Sequence, residues 1–314
     1  YLCNNLFKIQ TIMLNNYILR NLIPKSVNYI DVGARGGVKD SLPPILWECV
    51  NIIGFEPDMK AYKVLEQQPN SKCYACGLSN KNEVIDFYLN HNGPTSSLYP
   101  ANYPYIEQYS KKNNIGRTTK RIVKVDCKRL DNILKEIPHL IKIDTQGSEF
   151  DILQGSENLL KKHAPVVITE TWTKEVYRGA KPAWSIMDYM NSLGYDVFDL
   201  NVAAAWGHET NSKIKNYKQK NVGLDLLFVK RVDALKKTDL DDVDWVVLCS
   251  LLECYGFRDY AWYISDQIDF ESSKVIKEKL EYNDKQDFKI FRKIIRIICK
   301  IFKIKNVFHK PKLH

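Results

Sequence analysis

Short apolar runs recur along the first 230 residues, and polar turns or amphipathic stretches separate them. Apolar runs that alternate with helical stretches are typical of a parallel β-sheet that is covered by helices on both faces. The predicted strands lie at residues 27–32, 51–56, 72–76, 83–89, 120–126, 139–144, 165–171, 195–200 and 224–230. The predicted helices lie at about 40–48, 58–67, 129–136, 148–162 and 183–193.

The pattern changes at both ends of this α/β region. Residues 5–23 have the apolar spacing of an amphipathic helix that ends before Pro24. The stretch 207–222 is polar and contains no amphipathic helix, which predicts that the last two strands form an antiparallel pair at one edge. The chain beyond the last strand has a helical pattern. We therefore predict an N-terminal helical segment over 1–26, an α/β domain over 27–230 and a helical C-terminal extension over 231–314.

The net charge of +9 is concentrated at the C-terminus. Residues 288–314 contain nine Lys or Arg and no Asp or Glu, which leaves the rest of the chain neutral. A neutral body argues against a nucleic-acid partner. In "FKIFRKIIRIICKIFKIK" (288–305) the basic residues share one side of a helical wheel and the remaining circumference is apolar. This pattern is typical of a helix that lies in an anionic membrane surface, and packing on the body or on a second copy in a homo-oligomer is the alternative.

The remaining composition indicates a cytoplasmic protein. We find no secretory leader pattern and no uncharged apolar run long enough to span a bilayer. Several of the eight cysteines lie in apolar runs, where a reduced thiol packs as a small apolar side chain. Cys73 and Cys76 form a CxxC pair without a second pair or a histidine nearby, so a zinc site is not favoured. Together with the basic C-terminus, these features predict a cytoplasmic protein peripheral to the inner face of the membrane.

The stretch "VNYIDVGARGGVKD" (27–40) runs from a strand into a glycine-rich turn, a pattern that often holds a nucleotide. The spacing of its glycines fits neither a Walker loop nor the dinucleotide-binding G-x-G-x-x-G turn. Asp31 precedes the turn, where its carboxylate would repel a pyrophosphate but would suit a ligand with an ammonium group and no phosphates. S-adenosylmethionine is such a ligand. An NAD-dependent oxidoreductase remains the alternative.

Acidic residues end several of the predicted strands. Glu56 ends the second strand, where a carboxylate can accept hydrogen bonds from both ribose hydroxyls. Asp144 and Glu170 end two later strands. Because ligands of open α/β sheets bind outside the carboxyl ends of the strands, we expect these side chains and Asp31 to lie on one rim.

Six motifs, "YIDVGARGG", "GFEPD", "ACGLSN", "SSLYP", "KIDTQGSEFDILQG" and "VVITETW", resemble in this order those of the FkbM-family methyltransferases. Members of this family are S-adenosylmethionine-dependent O-methyltransferases, and many act on sugar hydroxyls in bacterial glycans and natural products. The resemblance covers residues 27–230 and implies a Rossmann-like class I methyltransferase sheet, mostly parallel with an antiparallel last strand. Arg35 departs from the family, which often has Asn there.

The resemblance also implies how each part of S-adenosylmethionine is held. The methionine portion is expected at Asp31, Gly33, Ala34 and Gly37. The ribose is expected at Glu56 and Pro57, and the adenine beside Cys76, Gly77 and Leu78. Asp144 is expected to complete this cofactor site.

Methyl transfer to a sugar hydroxyl requires an aligned oxygen and a group that removes its proton. The candidates for this base are Asp144, Glu149, Glu170 and His208. No metal is predicted, and a divalent ion between Asp144 and Glu170 is the alternative. Ser148 with Asp151 resembles a capping box.

The aromatic segment 92–113 is a candidate lid over the acceptor, in which Tyr99, Tyr103 and Tyr105 either stack on sugar or pack within the loop. The predicted function is O-methylation of a sugar hydroxyl in a glycan or glycolipid. A membrane-docked scaffold with a non-catalytic methyltransferase fold is a further alternative.

Overall fold

The structure is a computed structural model of the 314-residue chain, and it describes residues 19–23, 27–36, 42–67, 71–109, 111–209 and 218–282. The chain divides into two compact units. One extends from Pro24 to Leu248, and the other joins the chain up to Ile23 with the chain from Cys249 onward. The domain boundaries expected near residues 26 and 230 stay a prediction.

The strands of the larger unit form two sheets. They are β1 (Val27–Val32), β2 (Val50–Phe55), β3 (Ser71–Tyr74), β4 (Gly77–Leu78), β5 (Glu83–Asn90), β6 (Thr119–Lys128), β7 (Leu140–Ile143), β8 (Val166–Trp172), β9 (Tyr195–Trp206) and β10 (Lys220–Lys230). The main sheet has the order β3-β2-β1-β7-β8-β10-β9. Its neighbouring strands are parallel except that β10 is antiparallel to both β8 and β9. The predicted Rossmann-like sheet with an antiparallel last strand is confirmed.

Burial on both faces of the main sheet explains its apolar strands. Ile30 in β1 and Ile141 in β7 are fully buried. Burying such a side chain contributes about 1.5–3 kcal/mol to folding, so polar residues in these strands are costly. Asp31 in β1 and Lys142 in β7 are the conspicuous exceptions, and they lie toward the carboxyl ends of their strands.

The closing strands are longer than the sequence pattern predicts. β9 and β10 pair from Tyr195 with Lys230 to Trp206 with Lys220, whereas the apolar runs cover only 195–200 and 224–230. The added part of β9 (201–206) is mostly apolar but largely exposed, and β10 begins with two polar residues, so the pairing there depends on the backbone hydrogen bonds.

A second, smaller sheet has the order β4-β6-β5. The sequence pattern predicts its strands β5 and β6 but not their separation from the main sheet. The sequence predicts one strand over 72–76. In the structure β3 ends at Tyr74, and the chain turns at residues 75–76 before it enters β4. The turn leads the chain out of the main sheet.

The helices of the larger unit are mostly short. They are α1 (Met59–Leu65), α2 (Tyr103–Ile106), α3 (Lys111–Gly116), α4 (Leu130–Ile133), α5 (Glu149–Gly155), α6 (Glu157–His163), α7 (Ala183–Ser192), α8 (Val232–Leu235) and the start of α9 (Asp242–Cys254). Short 3-10 helices occur at Pro44–Leu46 and Gly93–Thr95.

Three helix predictions need correction. The part of 40–48 that the structure describes contains only the 3-10 turn at Pro44–Leu46, because two adjacent prolines do not favour a longer helix. The helix predicted at 148–162 is interrupted at Ser156, which separates α5 from α6. The helix predicted at 129–136 is limited to α4.

The smaller unit contains the end of α9, α10 (Arg258–Gln267) and a helix at 273–282 (α11). Within it, the backbone N–H of Leu19 donates to Oε2 of Glu253 at 2.9 Å, and the hydroxyl of Ser250 donates to the Leu19 carbonyl at 3.2 Å. These contacts hold the 3-10 turn at Leu19–Leu22 against α9. Most of the predicted N-terminal helix and all of 288–305 lie outside the described residues. None of the helices within the described ranges has the length and apolarity to cross a bilayer.

Candidate active site

The turn after β1 brings the backbone of β1 against the end of β7. Gly33 has a φ of +80°, and a Cβ at this position would overlap the carbonyl oxygen of Asp144. Glycine is the residue that accepts both this φ and so close a backbone approach. The Gly33 N–H also donates to the carbonyl of Phe55 at 3.0 Å. The turn therefore gathers the carboxyl ends of β1, β2 and β7.

Asp31 lies beneath this turn and is 1% exposed. Its Oδ1 has no hydrogen-bond partner within the described part of the chain. The Nζ of Lys142 lies 4.0 Å from this oxygen and 3.5 Å from Oδ2 of Asp144. Burial raises the pKa of Asp31 to about 6, although the charge of Lys142 opposes that rise. Because a buried carboxylate oxygen without a donor is costly, this side chain is poised to accept a hydrogen bond or to face a positive charge.

Glu56 follows β2 and is 4% exposed. Its Oε1 accepts a hydrogen bond from the backbone N–H of Asp58 at 2.8 Å. Burial raises the pKa of Glu56 to about 7, and this hydrogen bond and the nearby charge of Arg35 only partly oppose the rise. The Arg35 guanidinium pairs with the Asp58 carboxylate and lies over Gly93, where a Cβ would overlap it. Arg35 thus links the glycine turn to two segments beside the cleft.

A cleft lies at the carboxyl ends of β1, β2 and β7. Its open space totals about 650 Å³, including the solvent-filled mouth of the cleft. The predicted cofactor residues that line it are Gly33, Glu56, Pro57, Cys76, Gly77, Leu78 and Asp144. Arg35, Pro94, Leu98 and Gln146 also line the cleft. The predicted acceptor lid therefore contributes its first residues to the same cleft as the predicted cofactor residues.

Two of the predicted cofactor residues that the structure describes do not line the cleft. Asp31 lies below the glycine turn, and Ala34 is buried at 3% exposure. A Cβ at Gly54 would lie 3.3 Å from the Cβ of Ala34, so Ala34 packs against β2. Gly37 lies outside the described residues.

Three carboxylates from neighbouring strands lie close together, and of these Asp144 lines the cleft whereas Glu170 and Asp225 do not. Asp144 follows β7, Glu170 lies in β8, and Asp225 of β10 pairs in register with Glu170. Burial raises the pKa of Glu170 well above its usual range, and the nearby negative charges of Asp144 and Asp225 raise it further. The sequence did not reveal Asp225, because the register of β10 against β8 is set by the sheet as a whole.

Gln146 joins two of these carboxylates. Its Nε2 lies 3.1 Å from Oδ1 of Asp144 and 3.3 Å from Oε1 of Glu170. Its side chain is buried, and its φ of +61° is rare for a residue other than glycine. Backbone strain of this kind is often found at functional sites. Sequence reasoning missed Gln146 as well, although it lies within the motif "KIDTQGSEFDILQG".

Glu149 holds the turn that contains Gln146. Its Oε1 accepts hydrogen bonds from the backbone N–H groups of Thr145 at 3.1 Å and Gly147 at 2.9 Å. Burial raises the pKa of Glu149 to about 7. The predicted capping box is wrong: Ser148 donates to the Thr145 hydroxyl at 2.8 Å instead, and Asp151 accepts from Tyr99. Glu149, the first residue of α5, binds different amides, those of Thr145 and Gly147 in the preceding turn.

His208, another candidate base, is exposed and does not line the cleft. Its ring stacks on that of Tyr109 with the centres 4.8 Å apart. In the ranges that the structure describes, no three His, Cys, Asp or Glu side chains converge as a metal site would require. Cys73 and Cys76 both carry free thiols. The catalytic roles of Asp144, Glu149, Glu170 and His208 stay predictions.

The comparison with known families fits this geometry. Residues 31–197, more than half of the chain, match the methyltransferase FkbM domain. The chain belongs to the FkbM methyltransferase family. It is therefore a methyltransferase by family, as its motifs predict.

Individual relatives are distant. Methyltransferase sdnD of Sordaria araneosa is 26% identical over 209 residues, which cover 58% of this chain and 78% of that protein. Among solved structures, methyltransferase FkbM from Methylobacillus flagellatus KT has a TM-score of 0.38 and 16% identity over 68% of this chain. The match spans 47% of that protein's chain. TYW2 from M. jannaschii, solved in complex with AdoMet, has a TM-score of 0.32 and 14% identity over 72% of this chain and 76% of its own.

Proposed function

We propose that this methyltransferase takes its methyl group from S-adenosylmethionine and transfers it to a sugar hydroxyl of a glycan or glycolipid. The observation that carries the cofactor assignment is the buried Asp31, whose Oδ1 lies beneath the glycine turn and has no hydrogen-bond partner among the described residues. Asp31 suits the ammonium group of the methionine portion. Glu56, at the other wall of the cleft, suits the ribose hydroxyls.

The rest of the cleft fits the same cofactor. Gly33 keeps the turn free of a side chain, which leaves room beside Asp144. Cys76, Gly77 and Leu78 offer a mostly apolar wall that suits an adenine ring. When bound, S-adenosylmethionine supplies a methyl group that its sulfonium already activates, so the protein must mainly align the acceptor oxygen and remove its proton.

Asp144 and Glu170 are the residues best placed to remove that proton. Both accept a hydrogen bond from Gln146, and Asp144 lines the cleft. The raised pKa of Glu170 makes its carboxylate, once ionised, a stronger base than an ordinary glutamate. We assign proton removal to this pair, with Glu170 as the acceptor of the proton. In this assignment Glu149 shapes the turn, because its Oε1 is already occupied by backbone donors.

The alternatives fit less well. A pyrophosphate of NAD would lie beside the buried carboxylate of Asp31, and the family assignment favours methyl transfer. A non-catalytic scaffold would not need the acidic residues Asp31, Glu56 and Asp144, which are all present in the described turn and strand ends.

A methyl-transfer assay tests the proposal. The protein is incubated with S-adenosylmethionine labelled in its methyl group and with a panel of neutral and acidic methyl glycosides. We expect label in an O-methyl sugar and at least a tenfold lower rate for Glu56→Ala. Label that enters nitrogen or carbon atoms of other molecules, and never a sugar, would contradict the assigned substrate class.

We also propose that residues 288–305 bring the enzyme to an anionic membrane surface on the cytoplasmic side. This rests on the sequence pattern, since the segment lies outside the described residues. Co-sedimentation with phosphatidylglycerol vesicles should fall strongly when residues 288–314 are deleted, whereas phosphatidylcholine vesicles should bind neither form. Equal binding of both forms to anionic vesicles would refute it.

A further inference from the structure

Arg117, directly after α3, places its guanidinium among aromatic rings. The guanidinium carbon lies 4.8 Å from the ring centre of Trp206, 5.3 Å from that of Trp172 and 5.9 Å from that of Tyr177. Arg117 is 8% exposed. None of the ion pairs between described residues includes it. Aromatic faces offset part of the cost of burying a cation, by about 2 kcal/mol where water is excluded.

Two buried donors in this cluster lack acceptors. The Nε–H of Arg117 and the Nε1–H of Trp172 have no hydrogen-bond partner within the described part of the chain. A buried donor without an acceptor costs about 1–3 kcal/mol. A cation and two unmet donors on adjacent side chains call for an acceptor group that carries negative charge.

The cluster adjoins the carboxylates assigned to catalysis. Trp172 follows Glu170 by two positions in β8, so the two side chains project from the same face of the sheet. The hydroxyl of Tyr177 lies 3.1 Å from Oε1 of Gln146, whose amide nitrogen contacts Asp144 and Glu170. An anion bound at Arg117 would therefore belong to a molecule that also reaches the reacting centre.

A second cation lies at the edge of the same cluster. Lys220 donates to the hydroxyl of Tyr109 at 3.2 Å, and its Nζ lies 5.5 Å from the ring centre of Tyr105. Tyr109 in turn packs edge-on against Trp206 at 5.4 Å. Aromatic rings stack on the apolar faces of sugars, and nearby cations select those sugars that carry an acidic group.

We propose that Arg117, Trp172 and Trp206 form an acceptor subsite that binds a carboxylate or phosphate on the sugar that is methylated. This inference rests on the proposed function, which it narrows to an anionic sugar. The planar guanidinium of Arg117 donates two parallel hydrogen bonds to the anion, and Trp172 adds its indole N–H. The rings of Trp172 and Trp206 contact the sugar. Because the guanidinium is largely covered, the aromatic side chains around it must move on binding, and tryptophan fluorescence reports that movement.

The test measures binding of glucuronate, glucose 1-phosphate and glucose by tryptophan fluorescence and calorimetry, without S-adenosylmethionine. At least one anionic sugar should bind the native protein about tenfold more tightly than glucose, and the two anions separate carboxylate from phosphate recognition. Arg117→Met should abolish this preference. Arg117→Lys keeps the positive charge but loses the paired N–H donors of the guanidinium, and it should retain part of the preference for anionic sugars. Arg121→Met, which removes an exposed arginine of β6, should change nothing.

Circular dichroism establishes that each variant is folded. If Arg117→Met does not fold, Trp172→Phe keeps the ring and removes only the N–H, and it should weaken binding of the anion but not of glucose. Equal binding of charged and neutral sugars, or no saturable binding of either anion, overturns the proposal. Methyl transfer to anionic sugars at a rate that Arg117→Met leaves unchanged would also overturn it while the proposed function stands. An enzyme that binds anionic sugars but transfers no methyl group would overturn the function and keep the subsite.

Discussion

The hydroxyl of Tyr177 donates to two acceptors, the side-chain oxygen of Gln146 at 3.1 Å and the backbone carbonyl of Thr95 at 2.9 Å. This contact sets the orientation of the Gln146 amide. The reverse orientation would place the amide oxygen against the carboxylates of Asp144 and Glu170, which repel it. The amide nitrogen therefore faces both carboxylates and lowers the pKa of Glu170 relative to the value that burial alone would impose.

Replacing Gln146 by Glu should raise the pKa of Glu170 further. The variant loses the donor and adds a third negative charge beside Asp144 and Glu170. We expect kcat at neutral pH to fall by about 10²-fold or more, in the range of lost general-base catalysis, and the rising limb of the pH–rate profile to move to higher pH. The measurement is kcat against pH under saturating S-adenosylmethionine.

The matched control is Gln154→Glu in α5, which makes the same chemical change at a residue that contacts Asn80 outside the cleft. This control should keep the native pH profile. A Gln146→Glu variant with a native pH profile would show that the amide does not act on the base.

Gly33 and Gly36 form a matched pair for testing the turn after β1. Both have positive φ, but a Cβ at Gly33 meets the carbonyl of Asp144, whereas none of the described atoms lies within 4 Å of a Cβ at Gly36. Gly36→Ala should cost only the backbone strain, about 1–2 kcal/mol. Gly33→Ala should cost clearly more and should abolish cofactor binding. Chemical unfolding measures the loss of stability in both variants. An equal loss in the two would mean that the close approach of Gly33 to Asp144 is unimportant.

Asp31→Asn should stabilise the protein without its cofactor and impair binding. The folded-state pKa of about 6 lies above the ordinary 3.8, so the folded protein binds this proton more tightly and its stability falls as pH rises from about 4 to about 6. At about pH 7.5 the variant should gain on the order of 1–3 kcal/mol, and at about pH 4 little or nothing. Thermal unfolding at the two pH values measures this.

S-adenosylmethionine binding by the same variant should weaken by about tenfold or more, because the full negative charge that faces the ammonium group is lost. A variant that is destabilised at both pH values, or that binds the cofactor normally, would contradict the role of Asp31.

Much of the fold follows from local pattern. The strand β1 begins and ends where its apolar run predicts, and the antiparallel closing pair follows from the missing helix in the polar stretch before β10. Glu56 and Asp144 line the cleft as predicted, because the carboxyl ends of parallel strands meet at one edge of the sheet. Cys76, Gly77 and Leu78 were predicted as cofactor residues from the family motifs alone, because the hydrophobic periodicity does not distinguish them.

Features that depend on tertiary contacts could not be predicted. Asp225 comes beside Glu170 only through the register of β10 against β8. Arg117 stands in a polar stretch, and its aromatic surroundings come from distant parts of the chain. The conformation of Gln146 depends on Glu149, whose carboxylate binds two backbone N–H groups of the same turn.

Calorimetric titration with S-adenosylmethionine tests the central claim most directly. We expect saturable binding that tightens as pH rises through about 7, because the ionised Glu56 accepts both ribose hydroxyls and its pKa is about 7. Glu56→Ala should weaken binding by about tenfold or more and remove this pH dependence. Absence of binding to the native protein at roughly millimolar S-adenosylmethionine, a concentration that detects interactions as weak as about −4 kcal/mol, would contradict the account.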